Sequence, residues 1–559
     1  MTGQNIMKYW KSIVTATAIF IALAMQGPFL IHILNPAYEG VYVHLNSDEE
    51  IYLARVQEAL TGNWTQVAEA FVGEEGMVGS QFALIELVYG MTLSPVFDHS
   101  WVVLTVMDSV IPVLIFLVLI WFLSICGFTK LQSYTGSLIL IVTQLYNLNR
   151  PIHLRSSFLL MMLALIALSI AYKKKRQSSA AIGGMLLGTL VGVYVWSWTF
   201  AWLWLGILLV WQIIEKKRVA GRWSLVTRQM TSDERRETSD LQILLLALAI
   251  GIIFALPFIF QIFTVTNHPL YDIAIFRSGM RPGRLPESWV YSALFLTMIV
   301  GLLILLKKKY KELEVHRPAV VIVFTAFGVI HQQAIHGTIF NFVSHSIFSL
   351  LLAAIIVILL AWKFKSKILI IPALAAILYI SAVAYDGRWL IKQWNPSPGN
   401  FASQHLSDLL STLDEIPRAR ILSDRNTLSL ITSHTHHDVV YSIYLKNILL
   451  SHKENAQRVC LTYLPLDPNL RNLEASRNLV YADALGAFPD PKVREEELEL
   501  VRNECAQVDK EPNKFLTQYG IDLVVWDEKS NPEWDLNRLK SELQIMERGE
   551  GWSAWRLKR

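Results

Sequence analysis

Apolar runs long enough to cross the ~30 Å hydrocarbon core of a bilayer recur through the first two thirds of the chain. They fall at 13–34, 101–123, 133–147, 154–172, 180–197, 199–214, 241–263, 288–306, 318–336, 345–362 and 368–385. Hydrocarbon offers no partner to a backbone N–H or C=O, so a spanning segment of this kind has to be a helix. The sequence therefore predicts a multispanning α-helical membrane protein of about 11 transmembrane helices. A mean hydropathy of +0.38 and a charged fraction of only 17% over 559 residues exclude a large soluble enzyme. The net charge of +4 is small and its lysines and arginines sit in short runs between apolar stretches, a pattern of membrane topology and not of nucleic-acid binding.

Those runs also set an orientation. Lys8 and Lys11 precede a first apolar run of more than twenty residues that ends without a small-residue cleavage site, which reads as an uncleaved signal anchor. With the N-terminus inside, the cytoplasmic breaks hold 22 Lys and Arg; the opposite breaks before Asp386 hold six, Arg55, Arg150, Arg155, Arg277, Arg281 and Arg284. By the positive-inside rule the chain is expected to be a multi-pass protein of the cell membrane, its N-terminus cytoplasmic and the region after Asp386 extracytoplasmic. Trp101, Trp196, Trp198, Trp202, Trp289 and Trp389 fall near the expected outer ends, where amphipathic rings favour the headgroup layer.

From Gly387 the long apolar runs end, and Pro396, Pro398 and Gly399 mark a linker. The expected division is a membrane domain over 1–386 and an extracytoplasmic α/β domain over 387–559. Strands are predicted at 419–423, 521–526 and 552–557, the last paired with 543–546, and helices near 402–413, 439–451 and 493–507. Of three cysteines, Cys460 and Cys505 share the exported domain and are expected to pair, while Cys126 lies near the cytoplasmic face. Two separate buried thiols are the competing reading.

The chemically suggestive segment is the loop 35–100, with ten Asp and Glu against the single basic residue Arg55. It carries His44-Leu45-Asn46-Ser47-Asp48-Glu49-Glu50-Ile51-Tyr52. Ser47 and Glu50 have the spacing of a capping box, and acids in a first turn suit the helix dipole. Tyr52, Val56, Ala59 and Leu60 form an apolar stripe, so the helix is expected to lie along the membrane surface. A capped helix of this kind can also hold a carboxylate at a fixed depth.

The acidic text Asp48-Glu49-x-x-Tyr52-Leu53-Ala54-Arg55-Val56, with Gly62 behind it, follows one span and precedes many. In this the chain resembles the GT-C class of integral-membrane glycosyltransferases, whose first extracytoplasmic loop carries an acidic motif and whose C-terminal domain is often soluble. Asn149-Arg150-Pro151 and the stretch from His331-Gln332-Gln333 through Gly337 to His345 resemble uncharacterised bacterial members. The C-terminal domain lacks a Trp-Trp-Asp-Tyr-Gly motif, which argues against a sequon-reading oligosaccharyltransferase. The loop also lacks the Lys-Pro-Pro-like element of protein mannosyltransferases and aminoarabinose transferases.

The resemblance implies an inverting transfer from a polyprenyl-phosphate-linked sugar to a glycan, lipid or protein acceptor at the outer face of the cell envelope. Asp48 would be the base, with Glu49 or Glu50 beside it. Arg150, Arg277, Arg281 and Arg284 would bind the donor phosphate or meet anionic headgroups. Tyr52, Arg55, Asp108, Gln333 and His345 are further candidates, Asp108 because an acid inside a span is a functional suspect or a bond to a neighbouring helix. A divalent cation, Mg or Mn, could assist, yet no ligand set is assigned: His331, His336 and His345 lack close spacing, and His434 to Asp438 reads as the polar start of a helix. A transporter or lipid flippase, or a non-catalytic relative of the class, is the alternative. Transporters place paired charges or broken helices at the midplane, often with internal repeats, and no repeat is present here.

Overall fold

A computed structural model describes residues 9–44, 49–65, 67, 78–148, 153–223, 232–340, 343–384, 393–482 and 491–558. The eleven apolar runs are largely helical, with 133–147, 180–197 and 318–336 each divided between two or more helical segments. Seven helical stretches among the described residues are long and apolar enough to cross a membrane: Trp10–Ile33, Ser100–Ile125, His153–Lys174, Val195–Lys217, Asp240–Thr266, Trp289–Val329 and Ile347–Phe364. The chain is an integral membrane protein. Shorter helices, Lys130–Thr143, Gln177–Thr189 and Lys367–Ala384, carry three of the remaining runs. The runs at 288–306 and 318–336 share one helical stretch, bent at Lys309 and continued through a 3-10 turn at Glu314–His316. The lysine-rich break between them is thus helical, as its good helix formers favour.

Two compact units interleave along the chain. One comprises Met1–Gly27, Met107–Ile262 and Pro282–Ile391; the other comprises Pro28–Val106, Phe263–Arg281 and Lys392–Arg559. The first is helical. Lipid tails are as apolar as leucine, so helices in it gain from close approach more than from leaving water. Gly184 and Gly188 permit that approach: a Cβ on either would lie 2.5 Å from the carbonyl oxygen of Ala247 or Gly251 on the helix Asp240–Thr266. Arg155 is fully buried there, paired with Asp108 and donating from Nη1 to the Leu148 carbonyl at 2.7 Å.

The second unit holds a five-stranded mixed sheet. We number its strands β1 (Arg420–Leu422), β2 (Asp438–Val439), β3 (Leu523–Asp527), β4 (Leu543–Gly549) and β5 (Trp552–Leu557); their order is β2-β1-β3-β5-β4. β1 is parallel to β2 and β3, and the hairpin β4–β5 completes the sheet antiparallel to β3. Ile421, Leu422, Val439, Val524 and Val525 are buried in one core with Val41, Ile51 and Ala54 from the acidic segment, each large side chain contributing about 1.5–3 kcal/mol. Cys460 and Cys505 form a disulfide, Cα–Cα 5.0 Å, linking the helices His452–Thr462 and Pro491–Lys510; Cys126 is a buried free thiol.

Three local expectations are corrected. The helix expected at 439–451 is instead strand β2 followed by a 3-10 turn at Ile443–Asn447. Val439 and Val440 are β-branched and find a parallel partner in β1. His434 to Asp438 is no helix start: His434 ends the helix Arg425–His434 and Asp438 opens β2. The helix Glu49–Leu60 is no surface-lying amphipath either, since Glu49, Ile51 and every residue from Leu53 to Ala59 are buried. Gly90 of the helix Leu84–Leu93 lies so close that a Cβ there would sit 2.2 Å from the Ala59 Cβ. Burial of its polar face is possible because Arg55, Gln57 and Glu58 each find a partner.

Candidate active site around Glu49 and Glu50

The helix Glu49–Leu60 is built from good helix formers with two acids in its first turn, where the unpaired backbone N–H groups favour negative charge. Three polar side chains fix its orientation. Arg55 Nη1 meets Glu86 Oε1 at 3.3 Å, with both residues buried. Gln57 donates to the Asp98 carbonyl at 3.1 Å and accepts from the Ser100 N–H at 2.9 Å. Glu58 receives both Nη groups of Arg418 at 2.6 and 3.1 Å, and Arg418 also binds Asp438 at the start of β2. Removing one partner of such a buried pair strands the other charge, so the helix has one orientation. Arg55 is therefore a structural cation in this unit.

That rigidity carries Glu49 and Glu50. Glu49 is buried. Glu50 accepts a hydrogen bond from Ser442 Oγ at 2.8 Å, and Ser429, Arg425 and Lys446 surround it. Burial nevertheless pushes its pKa above the usual carboxylate value, the hydroxyls and cations opposing that shift. Ser442 accepts from the Tyr444 N–H at 3.2 Å, so its hydroxyl proton is directed to Glu50. Tyr52 packs half-buried against the sheet core.

The segment 442–449 is itself strapped down. The Asn447 carbonyl accepts from the backbone N–H and hydroxyl of Ser80 at 2.7 and 2.8 Å, and the Leu449 N–H donates to Val78 at 2.9 Å. Arg277 is fully buried and donates from Nη2 to the Ile448 carbonyl at 2.7 Å. Burial pulls its pKa down to about 10, with Glu454 and Tyr441 opposing. Nearby His452 is lowered to about 4, chiefly by burial and then by Arg277.

An aromatic group precedes the acidic text. Trp101 stacks with Tyr42 and with His99, at centroid distances of 6.2 and 6.4 Å. The Tyr42 N–H donates to His434 Nε2 at 3.0 Å, while His434 Nδ1 meets the Leu430 carbonyl at 2.9 Å. An imidazole that accepts at Nε2 and faces a carbonyl at Nδ1 is neutral with its proton on Nδ1. Burial accordingly lowers its pKa to about 4, and that of His44 to about 3. Beside them lies a cleft of about 330 Å³ lined by Gly40, His99, Trp101, Asp414 and His434.

The sequence candidates thus separate. Asp48 and Arg150 lie outside the described residues. Glu49, Glu50, Tyr52, Arg55 and Arg277 are all in the second unit. Arg281 and Arg284 are exposed, and Arg284 donates to the Ala334 carbonyl at 2.8 Å. In the first unit Gln333 donates to the Ile330 carbonyl at 3.0 Å, and His345 hydrogen-bonds Tyr194, whose ring also lies 5.5 Å from His153. Asp108 is taken up by Arg155. Among the described residues no group of three or more His, Cys, Asp or Glu is placed to hold a metal ion. Sequence reasoning missed Ser442, Ser429, Arg425 and Lys446, which no local pattern joins to the acidic segment.

No family model and no curated protein matches the sequence. Several solved structures are similar at low identity. ArnT from Cupriavidus metallidurans bound to undecaprenyl phosphate is 10% identical, with 98% of each chain covered and a TM-score of 0.46. The Archaeoglobus fulgidus oligosaccharyltransferase in complex with zinc and sulfate is 12% identical, over 95% of this chain and 71% of that one, with a TM-score of 0.43. The arabinofuranosyltransferase AftD from Mycobacteria is 11% identical over 99% of this chain, at a TM-score of 0.40; this chain spans 40% of its length.

Proposed function

We propose that the chain is a glycosyltransferase of the GT-C type, which moves a sugar from a polyprenyl-phosphate donor to an acceptor hydroxyl at the outer face of the membrane. The observation that supports it is the mounting of Glu49 and Glu50. A carboxyl group raised in pKa by burial and ringed by hydroxyls and cations, on a helix locked at three points, is a common mark of a reactive site. An acid-rich segment serving only as a solvated loop would need none of that.

In this reading Asp48, next along the chain, takes the proton of the acceptor hydroxyl. The acceptor oxygen bonds to the anomeric carbon as the bond from that carbon to the phosphate oxygen breaks, which inverts the configuration in one displacement. Glu50 with Ser442 orients the acidic turn. Arg281 and Arg284, both exposed, meet the charge left on the polyprenyl phosphate, where arginine's two parallel N–H groups match two oxygens. Arg277, fully covered and bound to the Ile448 carbonyl, holds the strap that carries Ser442 and Lys446 and acts as a positioning residue.

The test is turnover by the purified full chain with a panel of polyprenyl-phosphate sugars, following both the released polyprenyl phosphate and the glycosylated product. Asp48→Asn should lower the rate by ~10²–10⁴-fold, the usual worth of a general base, with unchanged donor binding and folding. A variant within a few-fold of the parent rate ends the assignment of Asp48. No turnover with any donor ends the reading itself.

A further inference from the structure

The helices Val195–Trp223 and Trp289–Leu313 both pack against Arg317–Val329. A crevice of about 600 Å³ is lined by Val210, Trp211 and Ile214 of the first, Leu303 and Leu306 of the second, and Phe324 of the third. On each long helix the lining positions recur every three to four residues, so each contributes one apolar stripe. Val210, Ile214 and Leu303 are exposed within the protein. Two turns of such a stripe run for about 10 Å.

The crevice changes character at one end, where Glu215, Lys307 and Tyr310 line it. The Glu215 carboxylate is already engaged: Arg317 meets it at 2.7 and 2.8 Å, Trp211 Nε1 at 3.2 Å, and the Tyr310 hydroxyl also binds it. Lys307 has no carboxylate partner among the described residues and is exposed. Lys308 follows it, and Lys216 and Lys217 follow Glu215 on the other long helix. The helix bends two residues on, at Lys309. The result is an apolar slot with a positive rim, and the one carboxylate among its described lining residues, Glu215, is spent.

We propose that this crevice binds an anionic phospholipid of the bilayer, one acyl chain lying in the slot and the phosphate resting on Lys307. A slot of this composition favours a hydrocarbon chain over water, and the charge at its mouth selects the headgroup. One lysine beside an anionic headgroup is worth about fivefold in affinity, which a zwitterionic lipid forgoes. The lysine-rich ends face the cytoplasm by the positive-inside rule, so the lipid belongs to the inner leaflet. This site is independent of the transferase reading and stands or falls without it.

The full chain is reconstituted in phosphatidylcholine vesicles with a trace of either phosphatidylglycerol or phosphatidylcholine carrying a photoactivatable group on one acyl chain. Labelled peptides are mapped by mass spectrometry. The phosphatidylglycerol probe should label 207–214 and 303–310 about fivefold more than the phosphatidylcholine probe. Lys307→Gln should bring the two to the same level, and Lys307→Arg should keep the preference. Val210→Trp, which fills the slot, should remove labelling of both segments by both probes; Lys307 is exposed, so its two variants decide the matter even if this one does not fold. Equal labelling by the two probes, a preference untouched by Lys307→Gln, or no labelling of these segments because a second copy of the chain fills the crevice would each overturn the proposal.

Discussion

Arg155 and Arg277 stand in the same register of expectation: both are among the few basic residues placed outside by charge counting, and both prove fully buried. Their settings differ. Arg155, in the helical unit, spends its charge on the Asp108 carboxylate and one further donor on a carbonyl. Arg277, in the unit with the sheet, hydrogen-bonds only the Ile448 carbonyl, and its Nε and Nη1 are buried with no hydrogen-bond partner among the described residues. The first is an ion pair that links two helices, although Arg155 Nε, like Nε of Arg277, is buried with no hydrogen-bond partner among the described residues. The second is a charge kept under tension, pulled down to about 10 by burial, and it secures the segment whose side chains surround Glu50. Burial alone therefore does not distinguish the two arginines; the identity of the partner does.

The largest effect should come from breaking the closed pair. Arg155→Met leaves Asp108 facing its gap uncompensated, and loss of one partner from a buried pair costs about 3–5 kcal/mol. Thermal unfolding of the full chain in detergent should show it. Adding Asp108→Leu should recover most of the loss, since replacing both members by apolar groups is often neutral or better. If the double variant stays as unstable as the single one, the pair is not closed on itself, and Asp108 returns as a candidate for function.

Acid should act on the unit with the sheet. His44 and His434 are held neutral by burial, with pKa values lowered to about 3 and about 4 from 6.5. A group depressed on folding contributes stability that is fully present above its unfolded pKa and is lost as pH falls towards its folded one. The loss therefore begins near pH 6.5 and is complete near pH 3–4. By pH 5 each such histidine has given up roughly 2 kcal/mol, at about 1.4 kcal/mol per pH unit. Hydrogen exchange at pH 7 and pH 5 should thus show residues 42–44 and 428–435 loosening, and His434→Gln should shallow the dependence. Unchanged protection of 42–44 and 428–435 at pH 5 would show that folding does not hold these histidines neutral.

How much of this was legible in the sequence follows from the range over which each signal acts. The eleven apolar runs are largely helical because hydrophobic length and backbone pairing are local requirements. Four of the five sheet strands also showed, since alternating or β-branched runs such as Leu523–Asp527 bear the pattern in themselves. Topology placed Cys460 and Cys505 in one domain and made a bridge one of two readings, beside separate buried thiols; the structure has the bridge. What misled was short or shared. β2 has two residues, and the apolar spacing of 439–451 is helical on paper although Ile448 and Leu450 are buried as parts of an irregular strap. Glu49 and Glu50 were conspicuous, yet Ser442, the hydrogen-bond partner of Glu50, lies 392 residues further on. No periodicity joins such distant positions. Nor could the text reveal that the acidic helix is buried on almost every side, because that depends on Arg418, Glu86 and Asp98 arriving as partners.

The smallest expected effect on stability is the most informative about the site. Arg277→Met removes one charge-assisted bond to the Ile448 carbonyl, worth about 1.5–3 kcal/mol, but it also removes a buried cation whose charge no hydrogen-bonded carboxylate offsets, and relief of that desolvation opposes the loss. The two nearly cancel, and the net change should stay within about 1 kcal/mol of the parent in the same unfolding assay that exposes Arg155→Met. The strap over 442–449, freed from its anchor, should exchange its amide protons faster, and turnover should fall through kcat with the donor KM little changed, because Glu50 loses the fixed position of Ser442 and Lys446. Arg277→Lys cannot restore it, since a lysine offers a single point charge in place of a planar fork. A loss of stability as large as that of Arg155→Met would show that Arg277 is a second closed structural charge, and a rise in donor KM with kcat unchanged would make it a phosphate ligand after all.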